Sequence, residues 1–319
     1  MIFNLINFLK SMTIERIVSF FPSATELLYE LGMGEKIFGV THECLYPENA
    51  RTKPRVINSV FDPNIMSSKE IDDKVVELMK NRKDIYILDE TNLKNANPDL
   101  IISQETCEVC SAYTGHVTKA LSILDKKPEI FSLNPHDVSE IFESIENVAK
   151  KLGREEKGRE IIQSLQARID FIQGNYFGNR PRVVALEWLD PFFTSGHWIP
   201  EMIEIAGGIN EISVKREQSR RLKFNEIVQC DPELIVLMPC GFDINRTILE
   251  YKKTLQNDSK WNKLGAVQKN KVFAVDSNSY FSKPSLRTIT GIEILAKIIH
   301  PDIFEKLEVL EDSFIQIES

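Results

Sequence analysis

The sequence predicts an α/β protein of two Rossmann-like lobes, with mainly parallel sheets joined by one long helix and a ligand cleft between the lobes. Three observations lead there. Short apolar runs alternate with helical patterns in the first third of the chain. One long helical stripe follows. The grammar of the first half then returns in the second. A chain of 319 residues also suits two lobes, since single cores rarely grow beyond about 250–300 residues.

The first lobe opens with Arg16–Gly32, a strand that runs through Phe21-Pro22-Ser23 into a helix. Ser23 and Glu26 have the spacing of a capping box, and Gly32 supplies the stop. Further strands are expected at Ile37–Val40, Ile85–Leu88, Leu100–Ser103 and Ile130–Leu133, with helices at Lys69–Met79 and Val117–Leu124. These place an N-terminal α/β lobe at 1–135. From Asp137 to Gln173 apolar residues recur at three- and four-residue spacings, which predicts an interlobe helix over 136–174. It would reach roughly 50 Å, unless Gly153 divides it into two helices.

The C-terminal lobe, 175–319, repeats the opening pattern. Arg182-Val183-Val184-Ala185 matches Arg16-Ile17-Val18-Ser19, and Asp231-Pro232-Glu233-Leu234-Ile235 matches Asn97-Pro98-Asp99-Leu100-Ile101.

Charge and composition narrow the function classes. The net charge of −8 argues against a general affinity for nucleic acid, and no apolar stretch is long enough for membrane insertion. Lys215-Arg216 and Arg220-Arg221-Leu222-Lys223 form the one candidate basic patch, read here as a solvated face. The N-terminal MIFNLINFLKSM is apolar only to Leu9 and is interrupted by Asn4 and Asn7. Together with five cysteines, an odd number, this predicts a cytoplasmic protein with reduced thiols. A misassigned start codon would instead make it periplasmic or cell-surface. No Walker loop, serine-nucleophile elbow or dinucleotide glycine fingerprint is present.

Ser19-Phe20-Phe21-Pro22-Ser23-Ala24-Thr25-Glu26, the Asn97–Ile101 strand entry, the long central helix and the segment from Asp276 to Gly291 resemble the class III substrate-binding proteins of ABC importers. The resemblance covers about 14–300 and is nearest the cobalamin-binding branch, which is related to siderophore and haem binders. It implies a binding protein for a small-molecule ligand, a corrinoid such as cobalamin, and an ABC importer permease as partner if the chain is exported.

Loops at strand ends carry the candidate ligand-binding residues Pro22, Ser23, Tyr46, Gln104, Glu187, Trp188, His197, Trp198, Tyr280 and Phe281. The aromatics offer flat walls, while Glu187 and His197 offer polar anchors or axial partners for a metal macrocycle. His42, Cys44, Cys107 and Cys110 have residue types and spacings suited to a zinc or iron ion, although the same thiols also suit buried packing or redox chemistry. With Glu187 as base, such a metal would make a hydrolytic enzyme, the alternative to a binding protein. His116, His136 and His300 have no comparable sequence context.

Overall fold

The computed structural model describes residues 14–105, 114–175 and 177–318. The chain divides into two compact units. One takes the chain up to Val60, Asp84–Asn134 and Ala149–Arg154; the other takes Phe61–Lys83, Pro135–Val148 and Glu155 onward.

Among the described residues the first unit contains six strands: β1 (Ile17–Ser19), β2 (Ile37–Thr41), β3 (Arg55–Ser59), β4 (Tyr86–Leu88), β5 (Leu100–Gln104) and β6 (Glu129–Leu133). Their order across the sheet is β4-β3-β2-β1-β5-β6, and all neighbours are parallel except β3 and β4. Val18, Phe20, Val56, Leu88 and Ile101 form a core with Leu93 and Ala96 of helix Glu90–Ala96 and with Val117 and Ala120 of helix Thr114–Ile123. These apolar runs are buried on the covered sheet, so they read as continuous β-branched stretches.

The second unit contains β7 (Val183–Leu189), β8 (Phe192–Thr194), β9 (Leu234–Leu237), β10 (Val272–Val275) and β11 (Phe314–Ile317), in the order β11-β10-β9-β7-β8. Its central strands are parallel and both edges are antiparallel. Trp261, fully buried, lies at the heart of its core beside Phe192 and Tyr251.

The repeated grammar corresponds to repeated hydrogen bonding. Arg16 enters β1 and its Nε donates to the carbonyl of Ala96 at 2.7 Å, where the helix Glu90–Ala96 ends in left-handed Asn97. Arg182 enters β7 and its Nε donates to the carbonyl of Asp231 at 2.9 Å, itself the left-handed residue that ends helix Phe224–Cys230. Asp99 accepts the Arg16 N–H at 3.0 Å, as Glu233 accepts the Arg182 N–H at 3.0 Å. In both units an arginine thus answers the free carbonyls of a helix C-terminus, and a proline after the left-handed residue prevents further helix.

Two expectations change. The Ser23–Glu26 capping box is absent, because the helix Pro22–Glu30 begins two residues earlier with Phe21 at its N-cap. Proline lacks the N–H that the first helical turn cannot use, so Pro22 is favoured at the first helical position and Ser23 moves inside the helix. The stop at Gly32 stands: Gly32 donates to the Tyr29 carbonyl at 2.9 Å and Met33 to that of Leu28 at 2.8 Å. The long central run is two helices, Val138–Lys151 and Glu155–Gln173. Gly153, at φ +64°, ends the first of them in a Schellman turn, with Arg154 donating to the Ala149 carbonyl at 2.7 Å.

Helix Glu155–Gln173 packs against helix Thr288–Ile299 in the second unit. Arg168 there forks onto Glu293, with Nε 2.8 Å from Oε1, and also reaches the Thr290 hydroxyl at 2.8 Å.

Segment Phe61–Lys83 leaves the first unit between β3 and β4 and belongs to the second. Its helix, Ser68–Lys80, starts with a capping box of Ser67 and Glu70. Ser68 is fully buried, and the Glu250 carboxylate accepts both its N–H, at 3.0 Å, and its hydroxyl. Arg246 stacks on Phe242 and donates to the carbonyls of Pro63 and Met66, while Arg221 pairs with Asp72. Lys215 pairs with Glu204, Arg216 with Asp137 and Glu140, and Arg220 with Glu226, so the expected basic patch is answered by carboxylates.

Candidate functional site

In the first unit, parallel strands end in loops that carry the sequence-selected groups. Gln104 is the last residue of β5 and is buried beside Leu133. Ser23 lies in the first turn after β1, its hydroxyl buried and without a hydrogen-bond partner. Tyr46, after β2, is 45% exposed.

His42 and Cys44 follow the same strand but face protein. The Cys44 sulfur is buried 3.1 Å from the Thr25 hydroxyl and 3.3 Å from that of Thr41. His42 tilts against Tyr86 at 5.8 Å between ring centroids, with a buried Nδ1 that has no partner. Cys107 and Cys110, the other two candidate ligands, lie outside the described residues. Among the described residues no three His, Cys, Asp or Glu side chains converge as a metal set.

In the second unit β7 runs further than the apolar pattern suggested, so Glu187 and Trp188 are strand residues rather than loop residues. Pairing with β8 extends it. Glu187 Oε1 accepts the N–H of Gly196 at 3.0 Å, which ties the strand to the loop before His197. The Trp188 indole donates to the Ser68 carbonyl at 3.0 Å and meets Phe242 edge-on at 5.3 Å.

The remaining aromatics turn inward. Trp198 is buried and donates to the Phe281 carbonyl at 3.0 Å. Tyr280 and Phe281 are buried as well, and Gly291 leaves the room they use: a Cβ there would stand 2.7 Å from the Tyr280 carbonyl oxygen and 3.1 Å from the Phe281 ring. Large aromatic residues serve both as ligand walls and as core anchors, and sequence spacing does not separate the two. Of the five selected aromatics, Tyr46 and half-buried Trp188 keep surface for a ligand.

His197 sits at φ +52°, held by its N–H on the Glu217 carbonyl at 2.7 Å and by its own carbonyl, which accepts from Arg216 N at 3.0 Å. Its ring stacks on Trp198 and places Nδ1 3.4 Å from Nδ1 of His136. His136 carried no signal in the sequence. It stands just before helix Val138–Lys151, 61 residues from its partner, and only the fold brings the two together.

Burial, and secondarily the neighbouring His136, push the His197 imidazolium down from 6.5 to about 4. The unfolded chain therefore binds a proton between about pH 6.5 and 4 that the folded chain refuses, and stability falls as pH drops through that window. In chelator-treated protein an NMR titration of the His197 ring protons is expected to have its midpoint near 4; a midpoint at 6 or above contradicts the burial argument.

This arrangement of two α/β units with polar and aromatic side chains at strand ends agrees with comparisons to known proteins. The family profile described as periplasmic binding protein matches residues 17–279. The chain belongs to the periplasmic binding protein family.

An uncharacterized ABC transporter substrate-binding lipoprotein of Bacillus subtilis, YvrC, is 25% identical over 302 residues, 92% of this chain and 82% of that protein. The vitamin B12-binding protein of Vibrio cholerae is 23% identical over 292 residues, covering 89% of this chain and 88% of the relative. The crystal structure of that organism's periplasmic vitamin B12 binding protein BtuF superposes with a TM-score of 0.63 at 21% identity, over 90% of this chain and 97% of its own. The apo form of the periplasmic haem-binding protein RhuT from Roseiflexus sp. RS-1 superposes at 0.67 with 18% identity, over 90% of this chain and 98% of its own.

These matches correct the cytoplasmic expectation. Periplasmic and lipoprotein relatives point to an extracytoplasmic place for this binding protein. The expectation rested on a short apolar run within residues 1–13, outside the described residues, and on the odd count of five cysteines, neither of which distinguishes the two compartments. No helix of the described residues is long and apolar enough to cross a membrane.

Proposed function

We propose that this periplasmic binding protein delivers a corrinoid of the cobalamin class to an ABC importer permease. The observation that carries the reading is the match along residues 17–279, together with a vitamin B12-binding relative aligned over 89% of the chain. Within the first unit Tyr46 suits a flat macrocycle, with Ser23 and Gln104 as polar groups at strand ends next to Pro22; within the second unit Trp188 suits one likewise, with Glu187 and His197 as polar groups. Haem is the second macrocycle to test, supported by the likeness to RhuT. The family match favours binding over the metal-dependent hydrolytic alternative.

Isothermal titration with cyanocobalamin, cobinamide and haemin tests the reading, with visible spectra as a second readout. One equivalent of cobalamin or cobinamide is expected to bind, and Tyr46→Ala to weaken it by at least about tenfold, the cost of losing one aromatic contact. Tight binding of haemin alone would reassign the ligand. Failure of all three would overturn the reading.

A further inference from the structure

We propose that Phe61–Lys83 is a strap that opens from the second unit and closes onto it while both units stay folded, with Glu250 and Arg246 as its catch. The strap is the long loop of the β3–β4 pair. Its base is pinned: Val60 N–H donates to the Ile85 carbonyl at 3.0 Å, next to the last paired residues, Ser59 and Tyr86. Its body belongs to the second unit.

The strap is complete in itself. Helix Ser68–Lys80 takes its N-terminal cap from Ser67 and Glu70. Its C-terminus closes on the same segment, with Asn81 donating to the Glu77 carbonyl at 3.1 Å and Lys83 to that of Leu78 at 2.9 Å. Opening therefore costs none of the helix's own bonds. Asp62 and Asp84, beside the pinned base, are both exposed, so backbone rotation there repacks no core.

The catch is polar and grips main chain. Glu250 accepts the Ser68 N–H at 3.0 Å along with its hydroxyl, and the Trp188 indole donates to the Ser68 carbonyl at 3.0 Å. Arg246 donates to the carbonyls of Pro63 and Met66. All of these strap groups except the Ser68 hydroxyl are backbone atoms, and each finds a new partner in water once the strap lifts. The Arg221–Asp72 pair adds little, because Arg221 is half exposed. Neither the core around Trp261 nor the core of the first sheet contains a residue of the strap. Opening frees the Trp188 indole N–H. With Trp188 as a ligand wall, which rests on the corrinoid reading, the closed strap competes with the ligand for that N–H.

Hydrogen exchange followed by NMR on the ligand-free, full-length chain tests the strap without any macrocycle, so it fails separately from the corrinoid reading. The Ser68 amide and the Trp188 indole N–H are expected to share one protection factor, lower than that of the Ile235 amide in β9. Their urea dependence is expected to be shallower, because opening exposes less surface than global unfolding. Arg246→Met keeps a side chain on Phe242 and touches neither hydrogen, yet is expected to speed both by the same factor, at least about tenfold.

Exchange of either hydrogen with the protection and urea slope of Ile235 would show that the segment leaves only when the protein unfolds, and overturns the strap. Absence of protection at both would show that the catch does not close, and unequal acceleration in Arg246→Met would show that the segment does not move as one piece; each overturns it as well. If Arg246→Met fails to fold by circular dichroism, the protection factors and urea slopes of the native chain decide.

Discussion

Glu250→Ala is expected to lower folding stability by about 3–4 kcal/mol, read as a shift of the urea midpoint at unchanged slope. Glu250 is 7% exposed, and one of its carboxylate oxygens serves two donors of fully buried Ser68. Hydrogen bonds to a charged acceptor contribute about 1.5–3 kcal/mol each, and alanine leaves both donors buried without an acceptor. The nearby Arg246 guanidinium also loses a compensating charge. Glu250→Gln keeps an acceptor oxygen without the charge, so it is expected to lose about half as much. A stability for Glu250→Ala within 1 kcal/mol of the native chain would mean that water reaches Ser68 and that the carboxylate does not hold the segment.

Gly196→Ala is expected to cost about 3 kcal/mol and to displace the loop that carries His197 and Trp198. A Cβ at this position would lie 2.4 Å from the Ser219 nitrogen, 2.9 Å from the Gln218 carbonyl carbon and 2.9 Å from the Glu217 oxygen. All three are backbone atoms, so no rotamer change relieves the clash. The shift would also break the Gly196 N–H bond to Glu187 and pull His197 from the Glu217 carbonyl. Thermal melting and the His197 ring resonances report the two effects separately. Gly265→Ala is the control: nothing stands within 4 Å of its Cβ position, and a change within about 0.5 kcal/mol is expected. Equal melting temperatures for the two variants would show that residues 217–219 yield without cost.

The α/β fold class with two units was legible because buried parallel strands have a strong signature, short β-branched runs bounded by turn residues, whereas the transfer of Phe61–Lys83 to the second unit was not. The internal echo was legible to the level of single residues, since Arg16 with Asn97-Pro98-Asp99 and Arg182 with Asp231-Pro232-Glu233 turn out to make corresponding hydrogen bonds. Helix starts were harder to read. At Phe21-Pro22-Ser23 two N-terminal signals compete within two residues, and the proline prevailed. The site was less legible again. Trp198, Tyr280 and Phe281 have the residue types of a ligand wall, but their faces are taken by their own protein. His136 and Glu250 owe their roles to contacts across 61 and 182 residues, and no local pattern encodes either.

The 182 residues between Ser68 and Glu250 also set a clock for the newborn chain. At about 5–20 residues per second, Glu250 is synthesised roughly 10–35 s after Ser68. Throughout that interval the two buried donors at the start of helix Ser68–Lys80 have only water to bond, and the unit that takes in this segment stands incomplete. Closing so long a loop is slow compared with forming the helix itself. The last third of the polypeptide therefore completes the burial of segment Phe61–Lys83, and a product that stops short of residue 250 would carry Ser68 without its carboxylate acceptor.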